Sequence, residues 1–241
     1  MNQIIHRYKA MKTRQAKDWW TVTFGDPASW FILSLIGDWK WVTPLGITIL
    51  SLFIRIFGAL MIGINNIILG VIMIQVGIVM DHMDGNLARY RKKTTLSGGF
   101  IDRIFDGLSF YIIITALGWH AVSLGSSTYI LLIASMAGAF YLLICYIYWS
   151  YAYFELKELG ASKEINPGAI ELNMFNKPTW KIVLQGQKLI FKFHHIDYYF
   201  WISLFILVGK PELGVWFHFI IIGLNCIRRF AQRLKRISRF G

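Results

Sequence analysis

Acidic residues are scarce in this chain: 13 Asp and Glu stand against 25 Lys and Arg in 241 residues, a formal net charge of +12. Cysteine is scarcer. Cys145 and Cys226 both lie inside apolar runs, which excludes a disulfide framework and CxxC-type metal spacing. The first twenty residues are basic and polar and lack a long apolar run, so no cleaved signal peptide is expected. Internal repeats and low-complexity segments are also missing. Apolar residues are abundant: 56% of the chain is hydrophobic and 16% aromatic, with ten Trp, and the mean hydropathy is +0.50. A soluble domain of this length does not need so much apolar surface, whereas a membrane bundle does. The basic residues cluster in blocks beside apolar spans. That placement favours anionic lipid headgroups as partners and argues against nucleic acid.

Spanning helices are expected at about 45–62, 66–86, 99–118, 128–150, 196–209 and 213–228. Basic blocks at 1–20, Arg89–Lys93, 155–192 and Arg228–Arg239 alternate with connections that carry almost no charge, at Gly63–Asn65, His120–Ser127 and Gly209–Leu213. Six spans with both termini cytoplasmic satisfy the positive-inside rule at every loop. The expected fold is therefore an all-α integral membrane protein of six transmembrane helices. Its parts are an N-terminal interfacial amphipathic segment (1–40), a membrane domain (41–228) and a basic tail (229–241). Ala28 to Gly37 is too short to span and is flanked by Trp residues, which suits a helix lying along the cytoplasmic surface; the alternative is a soluble cap packed on the bundle. Turns are expected at Asn166-Pro167-Gly168 and Asn176-Lys177-Pro178, with an amphipathic helix from Thr179 to Phe193.

Four of the few acids sit close together, at Asp81, Asp84, Asp102 and Asp106. On helices, Asp81 and Asp84 share a face, as do Asp102 and Asp106. A short turn between the two helices brings the four carboxylates into one cluster, where like charges repel unless a cation sits among them. Divalent metal bound through oxygen is the simplest occupant, with Mg²⁺, Mn²⁺ and Ca²⁺ all acceptable. Gly85, Ala88 and Gly98 beside the acids leave room for a ligand to approach the backbone closely. The structural alternative is a salt-bridge network with Arg89, Arg91, Arg103 and the nearby lysines. The expected topology opens the cluster toward the cytoplasm.

The run Asp81-x2-Asp84-Gly85-x2-Ala88-Arg89-x8-Gly98-x3-Asp102-x3-Asp106 resembles, at every specified position, the signature of the CDP-alcohol phosphotransferases. The resemblance implies an integral-membrane enzyme, typically a homodimer. It would transfer a substituted phosphate from a CDP-linked alcohol to a hydroxyl acceptor and release CMP. By similarity, Asp81, Asp84 and Asp102 hold two divalent ions, Mg²⁺ or Mn²⁺. Asp106 completes the second site and is the candidate general base. Gly85, Ala88, Arg89 and Gly98 would contact the nucleotide. Many relatives open the first span with Pro-Asn-x-x-Thr, whereas this chain has Pro44-Leu45-Gly46-Ile47-Thr48, and Leu45 cannot supply the amide that Asn offers there.

Arg55 lies mid-span, where a charge is costly; it either reaches an anionic group of the substrate or is paired structurally. Arg103 either faces an acceptor phosphate or lies on the helix surface. Lys181, Lys188 and Lys192 serve either acceptor recognition or charge anchoring, and His194-His195 reads as interfacial. His82 points away from Asp81 and Asp84 and is not expected to be a ligand. Chain size favours CDP-diacylglycerol as donor. The alternative pairs a soluble CDP-alcohol (choline, ethanolamine or inositol type) with a lipid or polyol-phosphate acceptor. A divalent-cation transporter is the alternative of another class.

Overall fold

The computed structural model describes residues 2–12, 18–160 and 178–238, and every regular element in them is helical. The turns expected at Asn166–Gly168 and around Asn176 lie outside the described residues. In chain order the helices are α1 (Asn2–Ala10), α2 (Asp26–Ile36), α3 (Pro44–Gly63), α4 (Ile67–Tyr90), α5 (Leu96–Ser123), α6 (Tyr129–Leu159), α7 (Thr179–Gly186), α8 (His195–Leu207) and α9 (Pro211–Ile237). Four of them, α3, α4, α6 and α9, are long and apolar enough to cross a membrane. α5 has the length, at 28 residues, but Asp102, Arg103, Asp106 and His120 dilute its apolar character. α8 has 13 residues, a rise of about 20 Å against a hydrocarbon core of about 30 Å.

Local chemistry sets the ends of these helices. Thr43 precedes Pro44 and its hydroxyl accepts the Gly46 N–H at 3.1 Å, starting α3. Thr95 does the same for the Gly98 N–H at 3.1 Å and starts α5. Several helices run past the expected spans, α9 furthest, from Pro211 to Ile237. The helix expected from Thr179 to Phe193 stops early: α7 ends at Gly186, a 3₁₀ turn covers Gln187–Leu189, and Phe193 takes a left-handed φ of 46°. Gly186 is pressed against Val22, where an added Cβ would come 2.3 Å from a methyl group.

α5 is the hub of the bundle, contacting α3, α6, α8 and α9. Its Phe110, Ile113, Ile114 and Leu117 are fully buried. α3 and α4 form the closest pair because glycines meet at their crossing: a Cβ on Gly58 would stand 2.9 Å from the Gly70 carbonyl oxygen. Outward faces such as Phe53 and Leu60 of α3 and Leu224 and Ile227 of α9 are apolar and exposed, as lipid contact requires.

The segment before α3 forms a packed layer. Helix runs from Trp19 through a π-helical turn at Thr21–Gly25 straight into α2. Pro27 has no N–H to give, and the wider turn before it accommodates the missing bond. α2 packs on α4 and buries Trp30 and Leu33, leaving Phe31 and Leu35 exposed on its outer face.

Candidate metal centre

The C-terminal part of α4 carries Asp81 and Asp84, and the first turns of α5 carry Asp102 and Asp106. One carboxylate oxygen from each of Asp81, Asp102 and Asp106 lies within 4.8 Å of the others. Asp84 stands beside this trio, one turn from Asp81; it is buried, and its carboxylate accepts a hydrogen bond from the Thr48 hydroxyl of α3. Thr48 is thus one residue through which the first span reaches the acids, and Leu45, half exposed, offers them no polar group.

Arg55 enters this group from α3. Its guanidinium is fully buried and donates to Asp81 Oδ1 at 2.9 Å and to Asp106 Oδ1 at 3.0 Å. The Ser51 hydroxyl lies 3.4 Å from the same nitrogen that reaches Asp81. Gly77 of α4 makes this possible, since a Cβ there would come 2.5 Å from Arg55 Cγ. Arg55 therefore pairs with the acids, the structural side of the choice that sequence left open. Its Nε is buried with no hydrogen-bond partner.

The donor set fits a hard divalent cation. All the candidate ligands are carboxylate oxygens. Asp81 and Asp106 each commit one oxygen to Arg55, which leaves their second oxygens for a metal. Arg55 is ion-paired with two of the four acids, Asp81 and Asp106, so the carboxyl groups outnumber the cation that meets them. Acids gathered this closely repel one another when ionised, and a divalent cation among them would relieve that repulsion.

The other expected residues spread around this centre. Arg89 folds over its own helix, its guanidinium 3.2 Å from where a Gly85 Cβ would be and donating to Asn86 Oδ1 at 2.7 Å. Ala88 is half-buried on the same face. Gly98 is held in the α5 cap. Arg103 is exposed and turns to α6, its guanidinium 4.6 Å from the Trp149 ring centroid and 5.2 Å from that of Tyr148. Lys181, Lys188 and Lys192 are all exposed. His82 faces away from the acids, stacked on Trp20.

Sequence reading missed Thr48, Ser51, Gly77 and Tyr199. Thr48, Ser51 and Arg55 repeat at helical spacing on one face of α3, a pattern that a search for polar residues in phase with Arg55 would find. The buried Tyr199 hydroxyl of α8 donates to the Asp106 carbonyl at 3.4 Å and lies 3.3 Å from the Ser109 hydroxyl, tying α8 to the turn that bears Asp106. No local signal announces that contact.

Residues 41–208 match the model of the CDP-alcohol phosphatidyltransferase family. The chain is also similar to an uncharacterized protein of Aquifex aeolicus (strain VF5), 36% identical over 91 residues. That stretch is 38% of this chain and 46% of the relative, so the chain spans less than half the length of the curated relative it matches.

Proposed function

The chain belongs to the CDP-alcohol phosphatidyltransferase family, and from that premise we propose that it transfers a substituted phosphate from a CDP-linked alcohol to a hydroxyl acceptor in the membrane, releasing CMP. The observation that carries the reading is the meeting of Asp81, Asp102 and Asp106 within 4.8 Å on the two helices that bear the family signature.

In this reading Asp81, Asp84 and Asp102 would hold two divalent ions, Mg²⁺ or Mn²⁺, with Asp106 completing the second site; bound there, the ions neutralise the diphosphate oxygens. The acceptor hydroxyl attacks phosphorus, forming a new O–P bond as the O–P bond to CMP breaks. The hydroxyl proton passes to the Asp106 carboxylate and from there to solvent. Arg55 donates to one oxygen of that carboxylate and so orients the whole group. Thr48 fixes Asp84 in the same way. By similarity Gly85, Ala88 and Gly98 would lie along the nucleotide, and Arg89, whose guanidinium covers Gly85, can turn to meet a phosphate.

CDP-diacylglycerol is the proposed donor. An apolar groove of about 560 Å³ between α6 and α9, lined by residues such as Phe140, Leu143, Gly223 and Ile227 and by none of the clustered acids, has room for an acyl chain. The proposed arrangement is a membrane domain over 41–228 in which α5 and α8 join the four apolar helices as spans. Both termini and the acids face the cytoplasm, following the basic loops. A homodimer is the expected working form.

The test is CMP release by the purified chain in detergent with Mg²⁺, using CDP-alcohols crossed with hydroxyl acceptors. Release from CDP-diacylglycerol with one small alcohol supports the proposal in full. Release from a soluble CDP-alcohol with a lipid acceptor moves the donor to the other class. Absence of both CMP release and metal-dependent CDP binding overturns the enzyme reading and brings cation transport forward.

A further inference from the structure

Residues 18–36 precede the stretch that matches the family, yet they grip the helix that carries Asp81 and Asp84. The Thr21 hydroxyl lies 3.0 Å from His82 Nε2, next in sequence to Asp81. Trp20 stacks on the His82 ring with centroids 5.7 Å apart. One turn further on, the Asn86 amide donates to the Ser29 hydroxyl at 2.8 Å and lies 3.4 Å from Asp26 Oδ1. All of Ser29, Asp26 and Asn86 are buried. The segment is itself anchored from α8, where Asp197 Oδ1 accepts the Trp20 N–H at 2.9 Å.

His82 and Asn86 are four residues apart and share one face of α4, to the side of the face that presents Asp81 and Asp84. Polar contacts on that flank oppose rotation of α4 about its axis more effectively than apolar packing, which tolerates sliding. Side chains of a helix reach roughly 5–6 Å from its axis, so a turn of about 10° moves a carboxylate by about 1 Å. Displacements of that size are enough to spoil a reacting geometry or a metal site.

We infer that Thr21 and Ser29 are positioning residues: through His82 and Asn86 they set the rotation of α4 and thereby place Asp81 and Asp84 for metal. The inference rests on the metal-site reading given above. It adds to the site a segment outside the family-matched residues.

The test is Mn²⁺ binding to the full chain in detergent, read by electron paramagnetic resonance and by calorimetry, without substrate. Thr21→Val combined with Ser29→Ala is expected to raise the Mn²⁺ Kd about three- to tenfold, at or below the range for outer partners of metal ligands. Thr21→Ser with Ser29→Thr keeps both hydroxyls and should bind as the parent does. Gly25→Ala offers an independent perturbation, because its Cβ would fall 2.6 Å from Trp20 and 2.7 Å from His82 and wedge the stack apart. It too should weaken Mn²⁺ binding. Phe31→Ala on the exposed face of α2 should leave the Kd unchanged. A purely structural role predicts a lower Tm with an unchanged Kd in the folded fraction, and that result for both Thr21→Val/Ser29→Ala and Gly25→Ala overturns the inference. If the parent chain itself binds no Mn²⁺, the metal-site reading fails first and takes this inference with it.

Discussion

Replacing Arg55 tests how the acid cluster is balanced. The guanidinium is fully buried and bridges Asp81 and Asp106 at 2.9 and 3.0 Å. Arg55→Met keeps most of the side-chain volume and removes the charge, leaving two carboxylates facing each other without compensation. Breaking a buried pair in this manner costs about 3–5 kcal/mol. Domains of this size shift by roughly 2–4 °C per kcal/mol, so the Tm should fall by about 6–20 °C. The cost depends on what else is bound. A divalent cation among the same carboxylates supplies positive charge that Arg55 no longer does, so most of the loss should return with Mn²⁺. Arg55→Lys should fall between, since one ammonium cannot fork across both acids. Intrinsic Trp fluorescence during thermal unfolding, with EDTA and with Mn²⁺ in parallel, reads the difference. An equal drop in both conditions, or none in EDTA, would refute the charge-balance argument.

Asp102→Asn should abolish turnover and weaken metal-dependent CDP binding together, whereas Asp106→Asn should cost turnover more than nucleotide affinity; equal losses in both assays would make Asp106 mainly a ligand. Arg91 donates to the carbonyl oxygens of Gly37, Trp39 and Val42 at 2.6–3.0 Å and thus seals the α2–α3 connection onto the end of α4. Arg91→Ala should destabilise the chain by about 1–3 kcal/mol and open residues 37–43 to protease, measured by limited proteolysis. Burial holds the His194 imidazole below its usual 6.5, against the opposing pull of Asp18. The unfolded chain then takes up its proton first as pH falls, so stability should decline from about pH 6.5 down to the folded value and level off below it. His194→Gln should flatten that decline in Tm-versus-pH profiles.

The part of the site legible in the sequence is the part that follows from spacing along one helix. Asp81 and Asp84, and Asp102 and Asp106, are each one turn apart, and a short connection places the two pairs together. Asp81, Asp102 and Asp106 do converge. Arg55 and Thr48 could not be assigned from spacing, because their partners are 26 and 36 residues away across a helix crossing set by Gly58, Gly70 and Gly77. Sequence shows which residues are polar and in phase, but not which neighbouring helix they face. The N-terminal run illustrates the same limit. Asp26-Pro27 looks like a break before a short surface helix, yet a π turn carries the helix through it, and Ser29 and Trp30 turn inward onto α4. The apolar outer residues Phe31 and Leu35 keep the interfacial character that composition implies.

The weak spanning signal of α5 has the same physical origin as the site. A carboxylate that is to hold metal near a membrane face must sit on a helix long enough to fix it, and each acid so placed lowers the apolar content of that helix. α5 meets both demands by position. Its acids occupy the first turns, where the cap at Thr95 opens the helix, and its Phe110, Ile113, Ile114 and Leu117 are buried among α3, α6, α8 and α9. The helix that contributes most to the core is therefore shielded by the helices around it, and their outer faces carry the apolar surface that lipid requires. Moving the acids a turn deeper into α5 would set their charge against Phe110 and Ile113, near the neutral hydroxyls of Ser109 and Tyr199 and without the pairing that Arg55 now gives. The site can lie only where α4 ends and α5 begins, because Arg55 and Thr48 on α3 meet the carboxylates at that level.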